Sequence, residues 1–213
     1  GRGYVTYAYN ISGGAVVRWY RDSLAFYLKQ AAMERGCSVY DILNETCPPE
    51  PTGLIVLPFL QGMGGTPDVL TGARGTIYGL TMHTSPADLY RAILEGLTFE
   101  MRYNLEKLAR YDIRPTTLFA AGGGAKSPVW RQIKADILGA EIRPTLADEA
   151  GALGSAILGL AAATGETDRT ALAARFVRYG QTAKPDAQRH AYYEKQFALY
   201  KELREFEVRH ARG

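Results

Sequence analysis

The stretch richest in chemistry runs from Leu118 to Leu138, LFAAGGGAKSPVWRQIKADIL. Gly122, Gly123 and Gly124 strip the backbone of Cβ atoms, and Lys126 and Ser127 follow at once. A bare backbone lets a flat or anionic ligand lie against peptide groups, and a helix start beside it favours negative charge. Ser127 before Pro128 is such a start: a hydroxyl that satisfies a free N–H, then a residue with no N–H to satisfy. Two familiar nucleotide motifs do not fit. A P-loop requires glycine where Ala120 and Ala125 stand. A dinucleotide fingerprint requires glycine or alanine where Ser127 stands. The competing reading is a tight turn whose glycines only let a helix pack close to a strand.

Little else is arranged for catalysis. Cys37 and Cys47 are too few and too far apart for a zinc or CxxC site, and a reduced pair is expected. His83, His190 and His210 lack metal-ligand spacing, so no metal site is expected. The formal net charge is +3 and the basic residues are scattered, which argues against a nucleic-acid partner. With 46% hydrophobic and 22% charged residues, this is an ordinary globular composition. The most apolar stretch, Ala152 to Ala163, is too short to span a bilayer. No signal-peptide pattern is seen, and a cytoplasmic protein without membrane contact is expected.

The elements that must position the glycine stretch follow from periodicity. Tyr4 to Tyr9 alternates like a strand. Ala15 to about Arg35 reads as one helix, with Val16, Trp19, Tyr20 and Ser23 on one face, stopped by Gly36. A small helix over Val39–Asn44 precedes a proline-rich connector. Leu54–Leu60 and Thr76–Met82 read as strands flanking a loop over Gln61–Gly72. Ser85-Pro86 opens the longest helix, to about Tyr111, striped with Leu89, Ile93, Leu97, Met101, Leu105 and Leu108. Leu118–Ala121 is a strand, Val129–Leu138 a helix, and Glu141–Thr145 a strand. Asp148-Glu149 opens a small-residue helix to about Thr164, where Gly151, Gly154, Ser155 and Gly159 would let a neighbour pack very close. A helical turn near Leu172 and a helix over Ala187–His210, striped with Tyr193, Phe197, Tyr200 and Leu203, complete the chain. This alternation predicts an α/β fold, a mainly parallel or mixed sheet of about five strands with helices on both faces. The opening Gly1-Arg2-Gly3, without Met, gives the expectation of a fragment of a longer protein.

Four ordered motifs resemble the FGGY carbohydrate kinases, within the actin–hexokinase–sugar kinase superfamily. The family's second signature is matched by Gly75-Thr76-Ile77-Tyr78-Gly79-Leu80 and then Asp88-Leu89-Tyr90-Arg91-Ala92-Ile93-Leu94-Glu95. GGGAKSPVWRQIKADILG resembles the adenosine motif, DEAGALGSAILG the helix after it, and SGGAVVRWYRD the segment after the second phosphate loop. Among these enzymes the chain looks most similar to xylulokinase-like members.

The resemblance implies a ribonuclease-H-like, actin-like ATPase half-domain: residues 1–213 would be the C-terminal, nucleotide-side domain, with the N-terminal half absent. It implies ATP-dependent phosphorylation of a sugar or polyol hydroxyl, with a ketopentose such as xylulose expected. By position Gly123, Gly124, Ala125, Lys126 and Ser127 would cradle adenosine. Gly14 and Arg18 would lie near the nucleotide phosphates. No catalytic residue is assigned here: the general base, the phosphate loops and most of the hold on Mg²⁺ would belong to the missing half. Asp136 is expected as a helix-end or interdomain contact, Glu95 as the structural ion-pair partner of Arg91, and Glu149 and Gly151 as shaping helix packing. The implied partners are the protein's own N-terminal domain and a sugar, with a homodimer left open. The alternative function is a non-catalytic ATP-binding regulatory or assembly module.

Overall fold

The computed structural model describes residue 6 and residues 9–64 and 69–212. The strand expected over Tyr4–Tyr9 lies outside the described residues except for Thr6 and Tyr9, and so do the three opening residues.

The axis of the fold is helix α4, Pro86–Ala109. Ser85 and Asp88 form a reciprocal capping box at its start, with Pro86 in the first turn. Its middle, Tyr90 to Glu100, is buried on every side. Strand β1, Ile55–Leu57, lies across it so closely that a Cβ on Gly96 would stand 2.2 Å from the Val56 carbonyl oxygen. β1 pairs antiparallel with β2, Thr76–Tyr78, with Val56 opposite Ile77. Against α4 also pack α1, Gly13–Ser23; α3, Val39–Thr46; and α6, Pro128–Leu138.

The C-terminal helix α9, Ala187–Arg212, closes the core. Phe99 of α4 meets three of its rings, with Phe197 stacked at 5.8 Å, Tyr200 at 5.3 Å and Tyr193 edge-on at 5.9 Å. The buried stripe ends on Arg204 rather than Leu203. Arg204 and the Tyr200 hydroxyl both bond the buried Glu100 carboxylate, at 3.0 and 2.6 Å.

A second unit supports the glycine stretch. β3, Thr117–Ala120, runs parallel to β4, Glu141–Pro144, with α6 as the crossover between them. Isolated bridges from β4 and its end reach Tyr179 and Ala183. Beyond lie α7, Ala150–Thr164, and α8, Arg169–Phe176, which bury Ile157, Ala161 and Leu172 between them.

Four expectations need correction. Among the described residues the strands form two separate two-stranded sheets, not one mixed sheet of about five. Pro58, which has no N–H to donate, stops β1 after Leu57, and Gly79 at φ 92° turns β2 away after Tyr78. The helix expected over 15–35 is two, because the chain bends at Leu24–Tyr27 to bury Ala25 completely; α2, Leu28–Arg35, follows. The glycine turn contains a short helix, α5, Gly123–Lys126. The thinned face of α7 packs on nothing in the described chain: Cβ atoms at Gly151, Gly154 and Gly159 would meet no atom within 4 Å. Among the described residues no helix is long and apolar enough to cross a membrane.

Candidate functional site

The glycine stretch is built from below. After β3, Gly122 takes φ 78°, a conformation open to glycine at little cost, and α5 begins. Ser127 then breaks α5 and caps α6, its Oγ accepting from the Trp130 N–H at 3.1 Å. Trp130 is anchored in turn, its indole N–H donating to Thr98 Oγ1 of α4 at 3.1 Å. The Trp130 ring forms the seat of α5. A Cβ on Gly124 would stand 2.7 Å from it, so this glycine is required by packing. Gly123 is different: it is exposed, and a Cβ there would meet nothing within 4 Å. The open backbone of the site is thus Gly122–Gly123, with Gly124 beneath.

Two cations of α6 hold the last carbonyls of α5. Arg131 Nη1 donates to Ala125 O at 2.6 Å, and Lys134 Nζ to Gly124 O at 3.3 Å. Lys134 is buried, and burial, with the nearby Arg131 charge second, pushes its ammonium down to about 8. Lys126, the exposed candidate, reaches Asp148 at 2.8 Å rather than open water. That pairing raises Lys126 and lowers Asp148 from their ordinary values.

The Ser127 hydroxyl also donates to Asn44 Oδ1 of α3 at 2.8 Å. The same Asn44 oxygen accepts from Tyr90 OH of α4 at 3.3 Å. Tyr90 lies 5.6 Å, centroid to centroid, from Tyr20 of α1, whose hydroxyl donates to the Pro86 carbonyl. This chain of side chains links α1 to the cap of α6. Sequence reasoning missed Asn44 altogether. The Ser38–Asp41 capping box announces α3, yet nothing in the local pattern says which polar residue of that helix turns inward.

Gly14 and Arg18 sit on α1, both exposed, and Gly14 has open space where a Cβ would be. No hydrogen bond or ion pair among the described residues joins either of them to 123–127; the two halves of the candidate set are linked through the shared core on α4 and through Tyr20, Tyr90 and Asn44. Glu95 pairs with Arg91 at 2.8 Å, as its spacing suggests, inside a buried knot with Tyr193. Burial pushes the Glu95 carboxyl up to about 7 against the pull of Arg91. Asp136 is an internal contact rather than an interdomain one: fully buried, it accepts from Gln132 and from the Asp186 N–H just before α9. Glu149 is exposed at the start of α7 and makes no side-chain cap there. Among the described residues no three His, Cys, Asp or Glu side chains are grouped to hold a metal ion.

Comparison with known proteins gives this geometry a context. Residues 2–163 match the profile of the "FGGY family of carbohydrate kinases, C-terminal domain". A gluconokinase of Bacillus subtilis (strain 168) is 36% identical over 164 residues, 74% of this chain and 31% of that protein. A xylulose kinase of Escherichia coli (strain K12) is 34% identical over 148 residues, 69% of this chain and 30% of that protein. The crystal structure of a ligand-bound xylulose kinase from Lactobacillus acidophilus superposes with a TM-score of 0.77 at 26% identity, covering 94% of this chain and 39% of that one. The chain therefore spans about a third of the length of the curated relatives it matches.

Proposed function

The chain belongs to the FGGY family of carbohydrate kinases, and from that premise we propose that the full-length protein transfers a phosphoryl group from ATP to a hydroxyl of a sugar or polyol. This chain supplies the adenosine side of the cleft. The observation that carries the proposal is the exposed backbone of Gly122–Gly123, held on a seat made by Trp130. A base can lie on peptide groups there without meeting a side chain.

In this reading Gly123 presents its backbone to the adenosine, Gly124 lies beneath it on Trp130, the buried Ala125 anchors α5 through Arg131 rather than touching the ligand, and Lys126 closes one side. Ser127 acts through its two hydrogen bonds, fixing where α5 ends and α6 begins. Gly14 and Arg18 face the phosphates, with Arg18 as a cation left unpaired among the described residues. The general base and most of the hold on Mg²⁺ come from residues outside this chain. Catalysis then rests on positioning and on charge stabilisation of the moving phosphoryl group. A cytoplasmic setting, where ATP is plentiful, goes with this assignment.

For the substrate we propose a ketopentose such as xylulose, supported by the xylulose kinases among the relatives. Gluconate is the natural comparison, given the gluconokinase similarity. The test is ADP release by the full-length protein with xylulose, ribulose and gluconate in turn. Turnover with xylulose at the highest kcat/KM supports the proposal. Turnover with gluconate alone replaces the substrate. ATP binding without turnover on any sugar or polyol favours a regulatory module instead.

A further inference from the structure

Lysine is almost never fully buried without a charged partner, yet Lys134 is only 8% exposed. Among the described residues no carboxylate pairs with it. Its ammonium has three N–H donors. It spends them on the Gly124 carbonyl at 3.3 Å and on the face of Trp130, 4.1 Å from the ring centroid. A helix that needed only packing at this place would carry a methionine or leucine, because an unpaired buried charge costs folding free energy. The charge therefore has another use.

That use follows from what it touches. α5 has four residues, far too few to hold a helix on their own. Its orientation is set by its attachments: the Trp130 seat, Arg131 on Ala125 O, and Lys134 on Gly124 O. We propose that Lys134 is a positioning residue for the nucleotide: its buried ammonium, by holding the Gly124 carbonyl down against Trp130, turns the Gly122–Gly123 backbone outward in the orientation that binds adenosine. The inference rests on the reading that this segment carries the adenosine, and it assigns Lys134 no contact with the nucleotide.

The surroundings make this attachment the one that pH can switch. Arg131, one turn earlier on α6, stays charged at every accessible pH. From α5, Lys126 points away to Asp148. From α4 the nearby polar group is the Thr98 hydroxyl, bonded to Trp130, while Arg102 meets α6 at Ile137 O. From α9, Arg189 and His190 reach Asp136, and Glu194 bonds Arg102, all at the far end of α6. From β4, Glu141 pairs outward with Lys184. Among the described residues, Lys134 is the group bonding an α5 carbonyl whose ammonium is pushed down, to about 8.

The test measures ATP affinity of the full-length protein by calorimetry between pH 7.5 and 9, for wild type, Lys134→Met and Lys134→Arg. Wild-type affinity should weaken about fivefold across this range, the difference between a charged and a neutral donor. Lys134→Met should bind ATP about tenfold more weakly at pH 7.5, without a pH step, and with unchanged sugar affinity. Lys134→Arg should hold its affinity flat to pH 9. A flat wild-type profile, or equal affinity of wild type and Lys134→Met, overturns the positioning role and leaves the nucleotide reading intact. Wild-type protein that binds no ATP at any pH overturns both.

Discussion

Ser127 and Asn44 meet across 2.8 Å, and through that bond a helix distant in sequence holds the junction between α5 and α6. The Asn44 oxygen takes two hydroxyl donors, from Ser127 and Tyr90, so one atom fixes α3, α4 and α6 together.

Replacing Asn44 by Ala should therefore leave the hydroxyls of two buried residues, Ser127 and Tyr90, without this acceptor. The expected cost is about 1–3 kcal/mol of stability. Urea denaturation measures it, and a change below a few tenths of a kcal/mol would remove Asn44 from the framework.

Gly123 and Gly124 should respond differently to valine. Gly124→Val drives a branched side chain into the Trp130 ring and should lower the melting temperature sharply. Gly123→Val has room and a φ outside the left-handed region, so the fold should persist. ATP affinity of Gly123→Val should fall at least about tenfold, equal to roughly 1.4 kcal/mol. Calorimetry with ATP and sugar separately reads both, and unchanged ATP binding by folded Gly123→Val would take the glycine segment out of the site.

The Arg91–Glu95 pair is buried on both sides, and Arg91 also bonds Pro48 O at 2.7 Å. Arg91→Met leaves the buried Glu95 carboxyl without its cation and should destabilise by about 3–5 kcal/mol. Adding Glu95→Met should recover a large part of that loss, and a double variant less stable than the single one would contradict this account.

Lys134 also predicts a stability profile. Its pKa falls from an ordinary 10.5 to about 8 on folding. Below pH 8 both states hold the proton, and pH does not act through this group. Between about 8 and 10.5 the unfolded chain binds a proton that the folded chain does not, so stability rises with pH. Relative to Lys134→Met, wild type should gain on the order of 3 kcal/mol across this window, at 1.36 kcal/mol per unit. Paired denaturation curves at pH 7.5 and 10 give the difference directly, and the opposite sign would refute the burial.

How far all this was legible in the sequence depends on where each constraint lives. α4, α6 and α9 are readable because caps and stripes are local: Ser85-Pro86 and Ser127-Pro128 mark starts within a residue of those observed. α5 is not readable, since two of its four residues are glycine, a poor helix former, and its carbonyls are held from another helix. The end of the α9 stripe was misplaced because Arg204 is buried by its ion pair with Glu100, which no hydrophobic pattern encodes. In the candidate site, the bare backbone at Gly122–Gly123 is visible in the string of letters. The Trp130 seat, the Asn44 clamp and the buried Lys134 are tertiary, and each joins residues whose separation in sequence carries no signal.

Gly96 carries a consequence of a different kind. With the Val56 carbonyl 2.2 Å from where a Cβ would sit, a saturation library at codon 96 should return a single surviving letter. Libraries at codons 151, 154 and 159, where this chain leaves open space, should return many, alanine foremost, since it favours a helix by roughly 0.5–1 kcal/mol over glycine. Glycine is the same symbol at all four codons, and selection would read it as an absolute requirement at one of them and as a tolerated choice at the other three.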